Sequence, residues 1–253
     1  MKILVTIAYD GGAYHGWQVQ PGYDTVQARV CEAFAALYGT AVPVTGCSRT
    51  DAGVHAEMFC AALDIPPQAP NIPCESIPIA VNLRLPPDIA VTGARIVADD
   101  FHPRYDVVKK EYVYRILNRR PRDPFSVGRA WHYPRALDIT RMREAAAYFI
   151  GTHDFTSFMS SNSDILRKGG EKSTTIRTIY ELAVERSGDI IEIRVSADGF
   201  LYNMVRIIVG TLAAVSDGRL SPSDIPELLS ARSRRHAGST APACGLYLSR
   251  VYY

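Results

Sequence analysis

Hydrophobic and polar positions alternate from the first residues of this chain, and Ile3 to Tyr9 reads as a strand. The opening stretch Met-Lys-Ile-Leu-Val-Thr-Ile-Ala-Tyr-Asp is too short and too alternating for a signal peptide. Gly11 to Tyr23 is a loop bearing glycines and aromatics. Asp24 to Tyr38 predicts a helix, with Asp24 or Thr25 as N-cap and Gly39 beyond its end. Phe59 to Ile65 predicts a strand and Pro66 to Pro73 a surface connection. A short helix is expected over Glu75 to Val81, then a strand from Ile89 to Val97 after Pro86-Pro87.

A boundary is predicted near Asp99 to Pro103, dividing the chain into domains 1–100 and 101–253. Beyond it, the alternation Tyr112-Val-Tyr114-Arg-Ile116 marks a strand over Tyr105 to Leu117, and Gly128 to Tyr133 a second. Ile139 to Ile150 is an amphipathic helix that ends before Gly151. Ser160 to Ser173 reads as a polar, glycine-bearing, mobile loop. Thr175 to Arg186 and Ile190 to Ser196 form a hairpin around Ser187-Gly188-Asp189. The longest apolar run, Phe200 to Val215, is shorter than a membrane span and contains Asn203 and Arg206, so it predicts a buried helix. Pro222 to Arg232 predicts a short helix and Gly245 to Tyr252 a last strand. Strands and helices mix in both halves, which places the chain in the α+β class. No sequence repeat or low-complexity tract is visible.

Composition narrows the class. At 253 residues, 47% hydrophobic and 21% charged, the chain can bury a sizeable core. A net charge of +2 gives no global field toward nucleic acid. The five cysteines are scattered, with no C-x-x-C pair, which argues against a zinc site or a disulfide framework and fits a reducing cytoplasm.

The residues 46 to 56, Gly-Cys-Ser-Arg-Thr-Asp-Ala-Gly-Val-His-Ala, carry the strongest chemical signal. Asp51 stands two residues after Arg49 and two before Gly53, among small, turn-forming residues. Such an acid can be an Asx-type turn residue, or a nucleophile, general base or metal ligand at the lip of a cleft. Arg206 is the second signal, because it lies in a helix apolar on nearly every face. An arginine there stays charged, so it snorkels to solvent or meets an acid. Pairing with Asp51 would keep that carboxylate ionised at neutral pH, which suits a nucleophile.

Tyr112 follows Lys109, Lys110 and Glu111, and shares a strand face with Tyr114. It either packs in the core or stacks on a nucleobase. Basic residues gather at Arg104, Lys109, Lys110, Arg115, Arg119, Arg120 and Arg122, at Arg167, Lys168, Lys172 and Arg177, and at Arg232, Arg234 and Arg235. Each group can be a solvated face; together they favour a polyanion partner. His55 has no third metal-type residue at suitable spacing and reads as a polar support or core histidine. No Walker or Rossmann glycine loop is present.

From end to end the chain resembles the tRNA pseudouridine synthase A family. The resemblance is carried by Tyr9-Asp-Gly11, Gly16-Trp17-Gln18, Thr25-Val26-Gln27, Ser48-Arg-Thr-Asp-Ala-Gly-Val-His-Ala56 and Phe101-His102 with Arg104. It continues through Lys110-Glu-Tyr112-Val-Tyr114, Asp154-Phe-Thr-Ser-Phe158, Met204-Val-Arg206 with Val209-Gly210, and Gly245-Leu-Tyr-Leu248. It implies two ferredoxin-like, RRM-like α+β domains with mainly antiparallel sheets joined across a catalytic cleft. By position, Asp51 would attack the target uridine and Arg49 would fill the space that nucleotide leaves. Tyr112 would stack on the uracil, Arg206 would pair with Asp51, and Leu246 would line the uracil pocket. Lys109 and Lys110 belong to the substrate-binding face. The resemblance further implies a homodimer in the cytoplasm, a tRNA partner, no membrane, and no metal or organic cofactor. The implied targets are uridines 38, 39 and 40, on the 3′ side of the anticodon stem-loop.

The chain departs from the family's pattern at Glu57-Met58-Phe59, where Gly-Gln commonly follows the His-Ala of the catalytic loop, and at Cys47, where a smaller residue is expected. Two other readings use the same residues. A non-catalytic RNA-binding or RNA-folding protein would keep the basic faces and Tyr112 without needing an ionised Asp51. A nucleoside glycosidase would need a second carboxylate, for which Asp10 and Asp198 are the candidates.

Overall fold

The computed structural model describes residues 1–160 and 174–253. They form two compact units: Met1–Val108 with Tyr247–Tyr253, and Lys109–Leu246.

The first unit begins with β1 (Lys2–Tyr9), α1 (Val26–Tyr38), β2 (Val44–Gly46), β3 (His55–Asp64), α2 (Ile77–Asn82) and β4 (Ile89–Val97). Thr25 precedes α1 in an extended conformation and Gly39 ends it in the left-handed region at φ 69°. The buried positions Val26, Val30, Ala33, Phe34 and Tyr38 fall on one helical face. Strand order is β4-β1-β3-β2, every pair antiparallel. With a β-α-β-β-α-β chain order, this is the ferredoxin-like arrangement. The loop bearing Asp51 is therefore the link between the hairpin strands β2 and β3.

The second unit contains β5 (Lys109–Leu117), β6 (Trp131–His132), α3 (Ile139–Ala147), β7 (Gly151–Asp154), β8 (Ile176–Ser187), β9 (Ile190–Ala197), α4 (Met204–Ser216) and α5 (Ile225–Ser230). Its sheet runs β5-β9-β8-β7, antiparallel throughout, with β6 parallel to β5. The succession β5-α3-β8-β9-α4 repeats the order β1-α1-β2-β3-α2, with β5, β9 and β8 placed as β1, β3 and β2. One topology is thus used twice without a visible sequence repeat. The final strand β10 (Leu246–Tyr252) sets Tyr247 and Leu248 parallel to His55 and Ala56 of β3.

Several boundaries differ from the sequence expectation. β3 starts at His55 rather than Phe59 because Ala56 pairs with Tyr9 and His55 with Tyr247. β5 starts at Lys109 rather than Tyr105 because residues 102–106 close a turn. In it the His102 Nδ1 accepts from the amides of Arg104 and Tyr105, and Asp106 accepts from the His102 amide. Only Trp131 and His132 of 128–133 are strand, since the Arg129 and Ala130 amides bond back to the Ser126 carbonyl. α3 stops at Ala147 and α4 starts at Met204, after Asn203 at φ 63°. The short strands β2 and β7 have no sequence signal of their own.

The division between units falls after Val108, and Tyr247–Tyr253 returns to the first unit, whereas a linear split assigns it to 101–253. Strand pairing with β3 draws that segment back. Of the polar segment 160–173, only Ser160 lies within the described residues.

Candidate active site

The Asp51 loop is fixed by backbone contacts with the loop after β1. The Trp17 amide donates to the Thr50 carbonyl at 3.2 Å, and the Gly53 amide to the Tyr14 carbonyl at 3.2 Å. Within the turn the Val54 amide donates to the Asp51 carbonyl at 3.1 Å, and Gly53 takes φ 76°. The Thr50 hydroxyl, 7% exposed, shares a 2.8 Å hydrogen bond with the Tyr9 hydroxyl. Asp51 is half-buried, between buried Thr50 and exposed Ala52. Its backbone is thereby held while its side chain stays at a partly open surface, the preorganisation that a reacting carboxylate requires. Arg49, in the same loop, is exposed.

Two glycines permit this approach. Gly16 has φ 83°, and a β-carbon there would collide with the Thr50 carbonyl oxygen. A β-carbon on Gly11 would collide with the Val54 carbonyl oxygen. Beneath the loop, Trp17 stacks on Phe59 at 3.9 Å between centroids and Tyr9 packs on both rings. Phe59 and Trp17 are buried, which gives the Phe59 departure a physical role: it is the floor on which the Gly16-Trp17 segment rests. Cys47 is fully buried, and its sulfur accepts the Cys60 amide at 3.4 Å. Glu57 is exposed and accepts from the Ser249 hydroxyl.

His55 is 2% exposed and stacks on Tyr247 at 4.6 Å. Its Nδ1 accepts the Gly11 amide at 3.1 Å and lies 3.0 Å from the Asp10 carboxylate. One imidazole nitrogen cannot serve both at once: with Nδ1 unprotonated it accepts from Gly11, and with a proton on Nδ1 it donates to Asp10. Either way His55 supports the first loop. Asp10 also accepts from the Gly12 amide, and Asp198 accepts from the Thr178 amide. Asp10 lies in the first unit and Asp198 in the second. Among the described residues no group of three His, Cys, Asp or Glu is placed to hold a metal ion.

Tyr112, Arg206, Leu246, Lys109 and Lys110 lie in the second unit, apart in the chain division from Asp51 and Arg49. There the strip 241–246 joins Arg206 and Leu246 to Tyr114 along one line of backbone. Arg206 Nε donates to the Ala241 carbonyl at 2.7 Å, and the Ala241 amide returns a bond to the Arg206 carbonyl. Arg206 Nη1 also donates to the Asn203 side-chain oxygen at 2.8 Å. The next carbonyl, Pro242, accepts the Tyr114 hydroxyl at 2.8 Å. Gly245 lies against the Tyr114 ring and the Arg115 carbonyl so closely that a β-carbon would come within 2.7 Å of both. Leu246 follows, 6% exposed.

Tyr112 is two residues from Tyr114 on the same face of β5, its ring edge-on to Phe200 at 5.0 Å. Burial pushes the Tyr114 phenol far above its usual range, so it remains a neutral donor. The strip reaches this position because α4 and residues 238–241 touch backbone to backbone. A β-carbon on Gly210 would collide with the Ser239 carbonyl, and one on Gly238 would come within 2.5 Å of the Thr211 amide. Sequence reasoning singled out Arg206 and Leu246 but not the strip joining them, which has no periodic pattern.

The basic groups differ in their partners. Arg115 pairs with Glu192, and Arg119 with Asp189 and Asp123. Arg232 pairs with Asp154, and Arg234 donates to the Ala237 carbonyl and the Thr240 hydroxyl. Arg177 donates to the Thr174 and Ile176 carbonyls. Arg104, Arg120, Arg122 and Arg235 are exposed, and Lys109 and Lys110 are half-buried. Arg167, Lys168 and Lys172 lie outside the described residues. No helix among the described residues is long and apolar enough to cross a membrane.

A family model described as tRNA pseudouridine synthase matches residues 145–253. Curated relatives match the whole chain. The tRNA pseudouridine synthase A of Bacillus subtilis strain 168 is 44% identical over 255 positions, spanning 100% of this chain and 99% of its own. That of Thermoanaerobacter sp. strain X514 is 43% identical over 252 positions with the same coverage. The tRNA pseudouridine synthase A 2 of Clostridium perfringens strain 13 is 42% identical over 252 positions, again across 100% and 99%. Similarity of this extent, over the whole chain, means that the chain belongs to the tRNA pseudouridine synthase A family.

Proposed function

We propose that the protein is an RNA isomerase that converts uridine to pseudouridine in the anticodon stem-loop of tRNA, at nucleotides 38, 39 or 40, with Asp51 as nucleophile. The observation that carries this reading is the end-to-end likeness to relatives of that name. The fixed Thr50-Asp51 turn supports the role given to Asp51.

The target uridine leaves the stack, at a cost on the order of a few kcal/mol. Arg49 occupies the vacated space. Asp51 adds to C1′ of the ribose or to C6 of the base, and the C1′–N1 bond breaks. The uracil turns while held between Tyr112 and the Leu246 side of its pocket, and C5 bonds to C1′. If Asp51 holds C1′, this attack breaks the Asp51–C1′ bond and frees the carboxylate; if it holds C6, Asp51 leaves C6 at the end. The C5 proton passes to the Tyr112 hydroxyl or a water, and N1 gains a proton. Atoms and electrons balance within the substrate, so no oxidant or reductant is consumed. Arg206, held at two points by Ala241 and Asn203, pairs with Asp51 and keeps it ionised. Lys109 and Lys110 meet phosphates, and the working form is a cytoplasmic homodimer that binds one tRNA across its basic face.

The test is tritium release from tRNA transcripts carrying 5-tritiated uridine, with wild type and Asp51→Ala compared at equal tRNA occupancy. Release by wild type and none by the variant is the expected result. Residual turnover by pure Asp51→Ala would remove Asp51 from its role. Tight binding without release by wild type would leave an RNA-binding protein. Mapping the modified nucleotides in the same product tests the assignment to 38–40.

A further inference from the structure

The segment between β5 and β6 holds a phenylalanine out in solvent on an ordered frame. Phe125 is 90% exposed and Val127 70% exposed. The chain here is not loose. Asp123 accepts from the Phe125 amide at 3.3 Å and from the Ser126 hydroxyl at 2.6 Å. The Ser126 carbonyl takes the amides of Arg129 and Ala130. From the other side Arg119 donates to the Pro121 carbonyl at 3.1 Å and pairs with Asp189 at 3.3 Å. The acids near the loop are thus engaged internally. Arg120 and Arg122 are exposed and make no ion pair among the described residues.

An aromatic ring kept out of any core, in the same loop as cations that no acid neutralises, is the arrangement that binds an unstacked nucleotide: the base lies on the ring and the phosphates meet the arginines. A second copy of the chain is a poorer occupant, because a twofold contact would set this arginine cluster against itself. The loop is also separate from the target pocket. It leaves β5 at Leu117, five residues past Tyr112, or about 17 Å along the strand at about 3.4 Å per residue.

We propose that Phe125, with Arg120 and Arg122, forms an accessory tRNA-binding site that stacks on an unpaired nucleotide distinct from the target uridine. This rests on the tRNA reading above.

The test is tRNA affinity and turnover of the full-length protein with Phe125→Ala, Phe125→Trp, and the pair Arg120→Gln with Arg122→Gln. The probe is an unmodified tRNA transcript. Phe125→Ala should weaken binding by about fivefold or more and raise KM with kcat unchanged. Its melting temperature should match wild type, since the side chain has little to lose from packing. Phe125→Trp should restore affinity, and tRNA should quench its added fluorescence. The arginine pair should flatten the slope of log K against log salt by about 1.4–1.8, while Phe125→Ala leaves that slope alone. Wild-type turnover with unchanged affinity in Phe125→Ala would overturn this inference and spare the enzyme. Dissociation of a wild-type dimer by Phe125→Ala, with tRNA affinity kept, would assign the loop to a second copy instead. Failure of wild type to bind any tRNA would overturn both readings.

Discussion

Replacing Gly16 by alanine should destabilise the first unit and disable Asp51 by one and the same contact. Two penalties act at this position. The backbone sits at φ 83°, where an L side chain costs about 1–2 kcal/mol. The added β-carbon would also collide with the Thr50 carbonyl oxygen and lie 3.1 Å from the Asp51 carbonyl carbon. These are backbone atoms, so no rotamer change relieves them, and overpacking of this kind costs a further ~1–3 kcal/mol. Gly39 supplies the control. It has φ 69° but nothing within 4 Å of its would-be β-carbon, so Gly39→Ala carries only the first penalty. At about 2–4 °C per kcal/mol for a chain of this size, Gly39→Ala should lower the melting temperature by about 2–8 °C and Gly16→Ala by about 4–20 °C. The variants separate further in rate. Moving Thr50 moves Asp51, and a displacement of about 1 Å at a reacting group can cost about 100-fold. Single-turnover tritium release should therefore fall by about that factor in Gly16→Ala and stay at wild type in Gly39→Ala. Equal melting shifts in the two variants, with a wild-type rate for Gly16→Ala, would refute the claim that the Gly16 approach positions Asp51.

Tyr114→Phe tests the buried phenol. Burial raises its pKa above the usual value near 10, so its contribution to stability is complete below about pH 10. It declines as pH rises further, by up to about 1.4 kcal/mol per pH unit. Denaturant titrations from pH 8 to 11.5 should show a shallower alkaline decline in the variant, with a loss of about 1 kcal/mol at neutral pH from the missing bond to Pro242. An unchanged alkaline slope would contradict the assignment. Arg206→Met leaves the Ala241 carbonyl and Asn203 without that donor and should cost about 1–3 kcal/mol by chemical denaturation. It should also cut kcat by about 100-fold or more if Arg206 holds Asp51 ionised. A stable, fully active variant would show that the two do not pair.

The sequence by itself determined the elements whose signal is local. The alternation of β1, the one-faced periodicity and Gly39 stop of α1, the Gly188-Asp189 hairpin turn and the largely apolar α4 each follow from a handful of adjacent residues. The candidate site residues stand out in the same way: Asp51 in a small-residue turn and a charge inside an apolar helix are visible without any fold. What the tertiary structure decided is everything that depends on which backbone meets which. No local pattern says that Gly16 must pass over Thr50, that Gly210 and Gly238 cross, or that Ala241 and Pro242 serve Arg206 and Tyr114. β2 and β7 are too short to carry a period, and β10 joins the first unit because β3 offers it a partner across the length of the chain. The repeated βαββα topology is invisible in sequence for the same reason. Topology constrains which positions are buried and how strands pair, and many unrelated side chains satisfy those constraints. The Asp51 loop, by contrast, is held by close backbone approaches, which a sequence records only as a glycine without naming what comes near.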